Sequence, residues 1–305
     1  MSQNTPEPTP QFPHDDPYYY GWRFVRRPTP DDPDNFDQVP LTLEDVLHPE
    51  IGDFVVNTAM HFTDRSYLTQ VLKARLETTG QAIVFSSLRV VWDVPGLRPH
   101  SPDVMVIPGI TKRYEDLNAF DVAKEGHRPA LIIEITSPHT REIELVRKVE
   151  HYARAGVQQY VIVDSVSQNE PRQLRLLDYR LVNNQYQLQP PDNLGRVYLE
   201  IAHLWLGVKD GRVVCYDDVK GALPDYTTLV QQLKEAQARR QAAEQARRDA
   251  EARRQAAEQA RRDAEARRQA AEQARRDAEA RAAIEARIRE LEEELRRLRR
   301  EQYPE

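Results

Sequence analysis

Short, closed apolar runs cluster in the middle of the chain, and long polar stretches flank them. Val104 to Ile107, Ala130 to Ile135 and Tyr160 to Asp164 are bounded by breakers and unbroken by charge until their ends, the pattern of buried strands. Between the last two, apolar residues at Leu145, Val146, Val149, Tyr152 and Ala153 form a helical stripe with Lys148 on its border. The order strand, strand, helix, strand predicts a crossover and a parallel pair within a mixed α/β sheet flanked by helices. Upstream, Thr42 caps a short helix through Leu47, and a longer helix runs from Thr63 to Glu77 with Tyr67, Leu68, Val71, Leu72 and Leu76 on its apolar face. Ile83 to Phe85 and Leu88 to Trp92 are expected to be strands, and Arg113 to His127 a loop with one helical turn. Leu174 to Tyr179, Gln185 to Leu188 and Val197 to Glu200 are β-rich and separated by turn formers, and are expected to extend the sheet antiparallel.

From Leu233 the pattern changes completely. The unit Ala-Arg-Arg-Gln-Ala-Ala-Glu-Gln-Ala-Arg-Arg-Asp-Ala-Glu stands unchanged at 238–251, 252–265 and 266–279, two heptads per copy. Acids precede arginines by four residues, the favourable order on a helix, so 230–303 is expected to be one long charged helix. Its repeats make a poor coiled-coil seam, whereas Ile284, Ile288, Leu291, Leu295 and Leu298 keep a 4-3-4-3 spacing that suits self-association. Residues 1–40 are proline-rich and polar and are expected to be a disordered arm, with Tyr18 to Trp22 docking aromatics on the domain at 41–220.

Charge and cysteine usage narrow the function. Between Arg239 and Arg300 stand 19 arginines and 14 acids, which leaves −11 for the rest of a chain whose net charge is −6. That balance argues against a broadly basic DNA-binding surface and confines any such surface to a local groove, for which Arg23, Arg26, Arg27, Lys112, Arg113, Arg141, Arg147 and Lys148 are candidates. A single cysteine, Cys215, excludes an internal disulfide and fits a small core residue. No apolar run is long enough for a membrane span, and the cytoplasm is the expected compartment. The histidines show no zinc spacing; His100 and His139 flank the carboxylates but are expected on exposed loops.

The chemistry lies at the strand ends. Asp103 and Glu134 converge on one region, and two such carboxylates repel unless a cation fills the gap. Mg²⁺, or Mn²⁺ in its place, suits hard oxygen ligands of this kind, and Lys148 could orient water or offset charge on a phosphate. Ser101-Pro102-Asp103-Val104, Ile133-Glu134-Ile135-Thr136-Ser137-Pro138, Lys148 with Tyr152, Gly156-Val157 and Tyr160 to Asp164 carry a resemblance over about 41–206. The chain resembles the bacterial putative restriction endonuclease family of the PD-(D/E)xK nuclease superfamily.

The resemblance implies a restriction-endonuclease-like fold, Asp103 and Glu134 as metal ligands, and metal-dependent DNA cleavage. The superfamily's usual lysine would fall on Thr136; Lys148 on the following helix takes over that role in the implied scheme. Relatives often carry an aspartate where this chain has Glu144, and an early glutamate where it reads Gly52-Asp53-Phe54-Val55, so Asp53 is the substitute to examine. The competing expectation is a catalytically degenerate domain that serves as a coiled-coil interaction protein.

Overall fold

The computed structural model describes residues 16–110, 116–137, 140–167 and 172–302, in two units divided after Thr227. The first fifteen residues of the expected disordered arm lie outside them, as do Lys112, Arg113 and His139. Much of the rest of that arm is ordered. Strands β1 (Gly21–Arg26) and β2 (Phe36–Pro40) form a hairpin, and β1 also pairs with β3 (Phe54–Val55), giving a three-stranded antiparallel sheet. Alternation along β1 explains this correction: Trp22 stacks on Phe54 at 5.6 Å, while Arg23 faces the other way to Asp45, Glu50 and Asp53. Gly21 is required at the corner, because its φ is +118° and a Cβ there would lie 1.9 Å from the Phe54 carbonyl oxygen. Between β2 and β3, α1 (Leu43–Leu47) starts as expected on a Thr42 capping box completed by Asp45.

Helix α2 (Ala59–Leu76) begins a turn earlier than its apolar stripe predicts, since the Thr58 side chain caps it by accepting from the His61 amide. It leads to β4 (Ala82–Ser86), β5 (Arg89–Val91), β6 (Val104–Pro108), β7 (Ala119–Asp121), α3 (Val122–Glu125) and β8 (Leu131–Ile135). A π-helical segment, Ile143–Arg147, then enters α4 (Lys148–Arg154), followed by β9 (Gln159–Ser167), β10 (Gln173–Val182) and β11 (Gln185–Gln189). The central sheet has the order β11-β10-β9-β8-β6-β4; β8 and β9 are parallel and every other neighbouring pair is antiparallel. This is the mixed sheet the sequence order predicts.

Both faces of that sheet are covered, which is why its strands read as continuous apolar runs. Val104, Val106, Leu131 and Ile133 pack with Leu68, Leu72 and Leu76 of α2. Met105, Ile107, Ile132 and Ile162 face the other way, into a core with Tyr152 of α4 and Tyr160. β5 and β7 form a separate parallel pair.

The third β-rich piece does not extend this sheet. β12 (Val197–Leu199) joins β13 (Leu204–Lys209), β14 (Arg212–Asp217) and β15 (Gly221–Ala222) in a second antiparallel sheet. Pro190 and Pro191 follow β11 directly, and without N–H groups they cannot carry its ladder onward. Cys215 is fully buried in the α2-side core, as expected of a small apolar residue.

The second unit is a single continuous helix. α5 (Tyr226–Gln302) is 77 residues long, or about 115 Å at ~1.5 Å per residue. Glu244–Arg248, Glu258–Arg262 and Glu272–Arg276 are paired at 2.6, 2.7 and 2.7 Å. Its described side chains are almost all exposed, so alanine-rich propensity and these pairs, rather than core packing, hold it. No described helix is long and apolar enough to cross a membrane.

Candidate functional site

Antiparallel pairing of Val104 with Ile133 sets Asp103 across from Glu134, and the Asp103 amide lies 3.3 Å from Glu134 Oε2. Both side chains are buried. Glu134 Oε1 accepts from Lys148 Nζ at 2.8 Å and from the Tyr152 hydroxyl at 2.7 Å. Asp103 Oδ2 accepts from the Ile135 amide at 2.9 Å and contacts His61 Nε2 at 3.0 Å. Each carboxylate therefore keeps one oxygen in reserve. Asp103 Oδ1 has Arg65 at 3.6 Å, and Glu134 Oε2 has only the long contact with the Asp103 amide.

A third buried carboxylate, Glu144, lies 3.6 Å from Lys148 Nζ and accepts from Thr140 at 3.1 Å. Burial by itself would lower the Lys148 pKa, but Glu134 and Glu144 outweigh it and raise it, so the ammonium is retained. Burial would also raise Asp103; His61, the Ile135 amide and Lys148 overcome that and hold it below the usual carboxylate value. Glu134 is pushed up by burial and by Asp103, and Glu144 well up by burial with Glu134 and Asp103 adding to it. Three carboxylates thus crowd one buried ammonium, with Arg65 3.6 Å from Asp103, and the raised values of Glu134 and Glu144 are the electrostatic cost that a divalent cation would relieve. The donor set, hard oxygens with one free position each on Asp103 and Glu134, fits Mg²⁺ or Mn²⁺.

Glu144 gives a stability test. Its folded pKa is raised, so between the unfolded value and the folded one the native state holds the extra proton, and stability falls as pH rises through that window. Glu144→Gln should flatten this fall and raise the melting temperature of metal-free protein at neutral pH by more than about 2 °C, as scanning calorimetry at several pH values would record.

The helix that carries the lysine is out of phase with its apolar pattern. Its buried positions are Ile143, Glu144, Lys148, Tyr152 and Ala155, while Val146 is 64% exposed. The π-helical turn widens the helix just before Lys148 and rotates the polar residues inward, an irregularity common at functional sites.

Other candidates are committed elsewhere. The Thr136 hydroxyl accepts from the Ser165 amide at 2.8 Å and contacts Asp164 at 3.3 Å. Asp53 is held by Arg23 at 2.9 Å, so it supplies no second metal position while that pair stands. Much of the proposed basic groove is internally neutralised: Arg26 pairs with Asp34, Arg27 with Asp37, Arg141 with Asp164 and Arg147 with Glu44. His61, Arg65 and Tyr152 border the carboxylates without having been singled out as site residues by spacing, because their contacts span α2, β6 and α4.

His100 is fully buried rather than exposed on a loop. Fold brings it beside His48 and His151, a trio that sequence separation conceals. Trp92 Nε1, which can only donate, bonds His100 Nδ1 at 2.8 Å. Burial, then Lys148, pushes His100 down to about 2, so the ring is neutral and its proton sits on Nε2, donating to His151 Nδ1 at 2.9 Å. His48 Nδ1 faces the Pro99 carbonyl at 2.9 Å and donates there. Only His48 Nε2 keeps a free lone pair toward the trio, fewer than the three protein ligands of a zinc site. The trio is a brace between the loop before Asp103 and α4.

The family model described as Uma2: Putative restriction endonuclease matches residues 52–209, slightly more than half of the chain. A search among curated proteins finds no match. Among solved structures, the chain is similar to a putative nuclease belonging to DUF820 from Anabaena variabilis ATCC 29413, at 20% identity and a TM-score of 0.38, over 53% of this chain and 92% of that one.

Proposed function

The chain belongs to the Uma2 putative restriction endonuclease family, and from that premise we propose that it is a metal-dependent endonuclease that hydrolyses phosphodiester bonds of DNA. The observation that carries this is the pair of buried carboxylates, each with one oxygen in reserve, beside a buried lysine. Asp103 and Glu134 would hold Mg²⁺ or Mn²⁺. The bound cation would polarise the phosphate and acidify a water.

The chain's own groups do the rest. Lys148 and Tyr152 both occupy Glu134 Oε1, which turns Oε2 toward Asp103 and fixes the carboxylate's orientation. The ammonium has three donors, and those not spent on Glu134 can meet a phosphate oxygen or the attacking water. Glu134, and after it Glu144, keeps the lysine charged.

Plasmid, linear duplex and single-stranded DNA, and RNA, incubated with Mg²⁺ or Mn²⁺ beside an Asp103→Ala control, test the reading. Metal-dependent cleavage absent from the control is expected; equal cleavage in the control removes Asp103 from the site, and none by either protein overturns the reading in favour of a degenerate interaction domain.

We also place self-association on the end of α5. Ile284, Ile288, Leu291, Leu295 and Leu298 are each 46–61% exposed on the single chain. A seam of leucine and isoleucine buries far more than the alanine-based repeats, at ~0.8 kcal/mol per CH₂. Leu291→Asp with Leu295→Asp should therefore reproduce the association state of a chain truncated before Leu233, measured by light scattering. A double variant that keeps the full-length number of copies while the truncation loses copies would assign assembly to the repeats.

A further inference from the structure

Phe62, on the first turns of α2, is 59% exposed, and it follows His61, which holds Asp103. Arg65 lies with its guanidinium 5.7 Å from the Phe62 ring centre and 3.6 Å from Asp103 Oδ1. It therefore stands between an exposed aromatic face and one of the two carboxylates. Arg65 is also unlike the other arginines near the site. Arg141 and Arg175 both hold Asp164, Arg98 and Arg147 both hold Glu44, and Arg172 and Arg212 both hold Asp64. The Arg65 side chain has no acceptor at hydrogen-bonding distance among the described residues, only the 3.6 Å contact, so its donors remain available.

A neutralised surface gives a polyanion little purchase, and affinity must then come from elsewhere. An aromatic ring supplies it by stacking, but only to a base whose face is free; in an intact duplex both faces are covered. We propose that Phe62 stacks on an unpaired nucleobase and Arg65 takes the adjacent phosphate, so that the strand is single-stranded, or locally unpaired, where it meets Asp103. This rests on the nuclease reading and names the form of polymer it acts on. The charge already bound up in pairs favours a nucleic acid held by stacking and predicts a shallow salt dependence.

The test is binding, read by fluorescence anisotropy in Ca²⁺ with a labelled single-stranded oligonucleotide and its duplex, for the full chain and for Phe62→Ala and Phe62→Trp. Because Phe62 is exposed, its replacement leaves the core intact, which circular dichroism checks. Phe62→Ala should weaken single-strand binding by about fivefold or more, Phe62→Trp should restore it, and the duplex should bind more weakly and respond less. Unchanged single-strand affinity in Phe62→Ala, or equal losses on both forms, overturns the proposal while leaving a cleaving enzyme intact. A mass that falls on Phe62→Ala assigns the ring to contact between copies and likewise overturns it. No binding of either polymer by the unaltered chain would contradict the nuclease reading itself.

Discussion

Asp103→Asn and Glu134→Gln should each reduce metal-dependent cleavage by at least about 10²-fold, yet only Asp103→Asn should lower stability. Each substitution keeps the side-chain shape and one acceptor oxygen while removing the charge that a cation needs. Asp103 is held below the usual carboxylate range despite burial, so its ionised form supports the fold above the unfolded pKa, and its amide isostere should be less stable at neutral pH. Glu134 is raised, chiefly by burial and then by Asp103, so its ionised form opposes the fold there. Glu134→Gln can still accept from Lys148 and Tyr152 at the same oxygen, and its metal-free stability should equal or exceed that of the parent. Denaturant unfolding beside a cleavage assay separates the two effects. Retained cleavage in either variant would remove that residue from the site.

Lys148→Met should lower kcat by about 10²–10³-fold without weakening metal binding. An ammonium stabilises charge developing on a phosphate but cannot ligate a cation, so its loss falls on turnover. It also leaves Glu134 and Glu144 buried without their counter-charge, and removing one partner of such a pair costs about 3–5 kcal/mol. Metal-free Lys148→Met should therefore be clearly destabilised, and added Mn²⁺ should recover part of the loss by binding the carboxylates. Single-turnover rates at saturating metal, set against unfolding with and without Mn²⁺, check both halves. A variant that turns over normally would place the lysine in a structural role only.

The central strands and their order were legible because burial on both faces leaves unbroken apolar runs at Val104–Ile107, Leu131–Ile133 and Tyr160–Val163. Helix α4 was legible as a helix but not in phase. A π-helical turn has no hydrophobic signature, and here Glu144 and Lys148 are buried beside Tyr152 while Val146, which periodicity favours, is exposed and Leu145 and Val149 are only partly buried. The first hairpin was hidden by proline and acid content, since its order depends on Trp22 meeting Phe54 and on Arg23 meeting three acids, contacts that composition does not register. His48, His100 and His151 illustrate the same limit, because Trp92 and Pro99 fix their protons from distant parts of the chain or from the adjoining loop. Of the candidate site, Asp103, Glu134 and Lys148 stood out by their places on strand ends and helix border, with Tyr152 beside the lysine; His61 and Arg65, which contact Asp103 from α2, did not.

The most direct measurement is a calorimetric titration of Mn²⁺ into the full chain and into Glu134→Gln. One cation bound per chain, with proton release that grows as pH is lowered toward the raised glutamate, and with the heat abolished in Glu134→Gln, is the predicted result. Equal Mn²⁺ affinity in the two proteins would contradict a cation shared by Asp103 and Glu134.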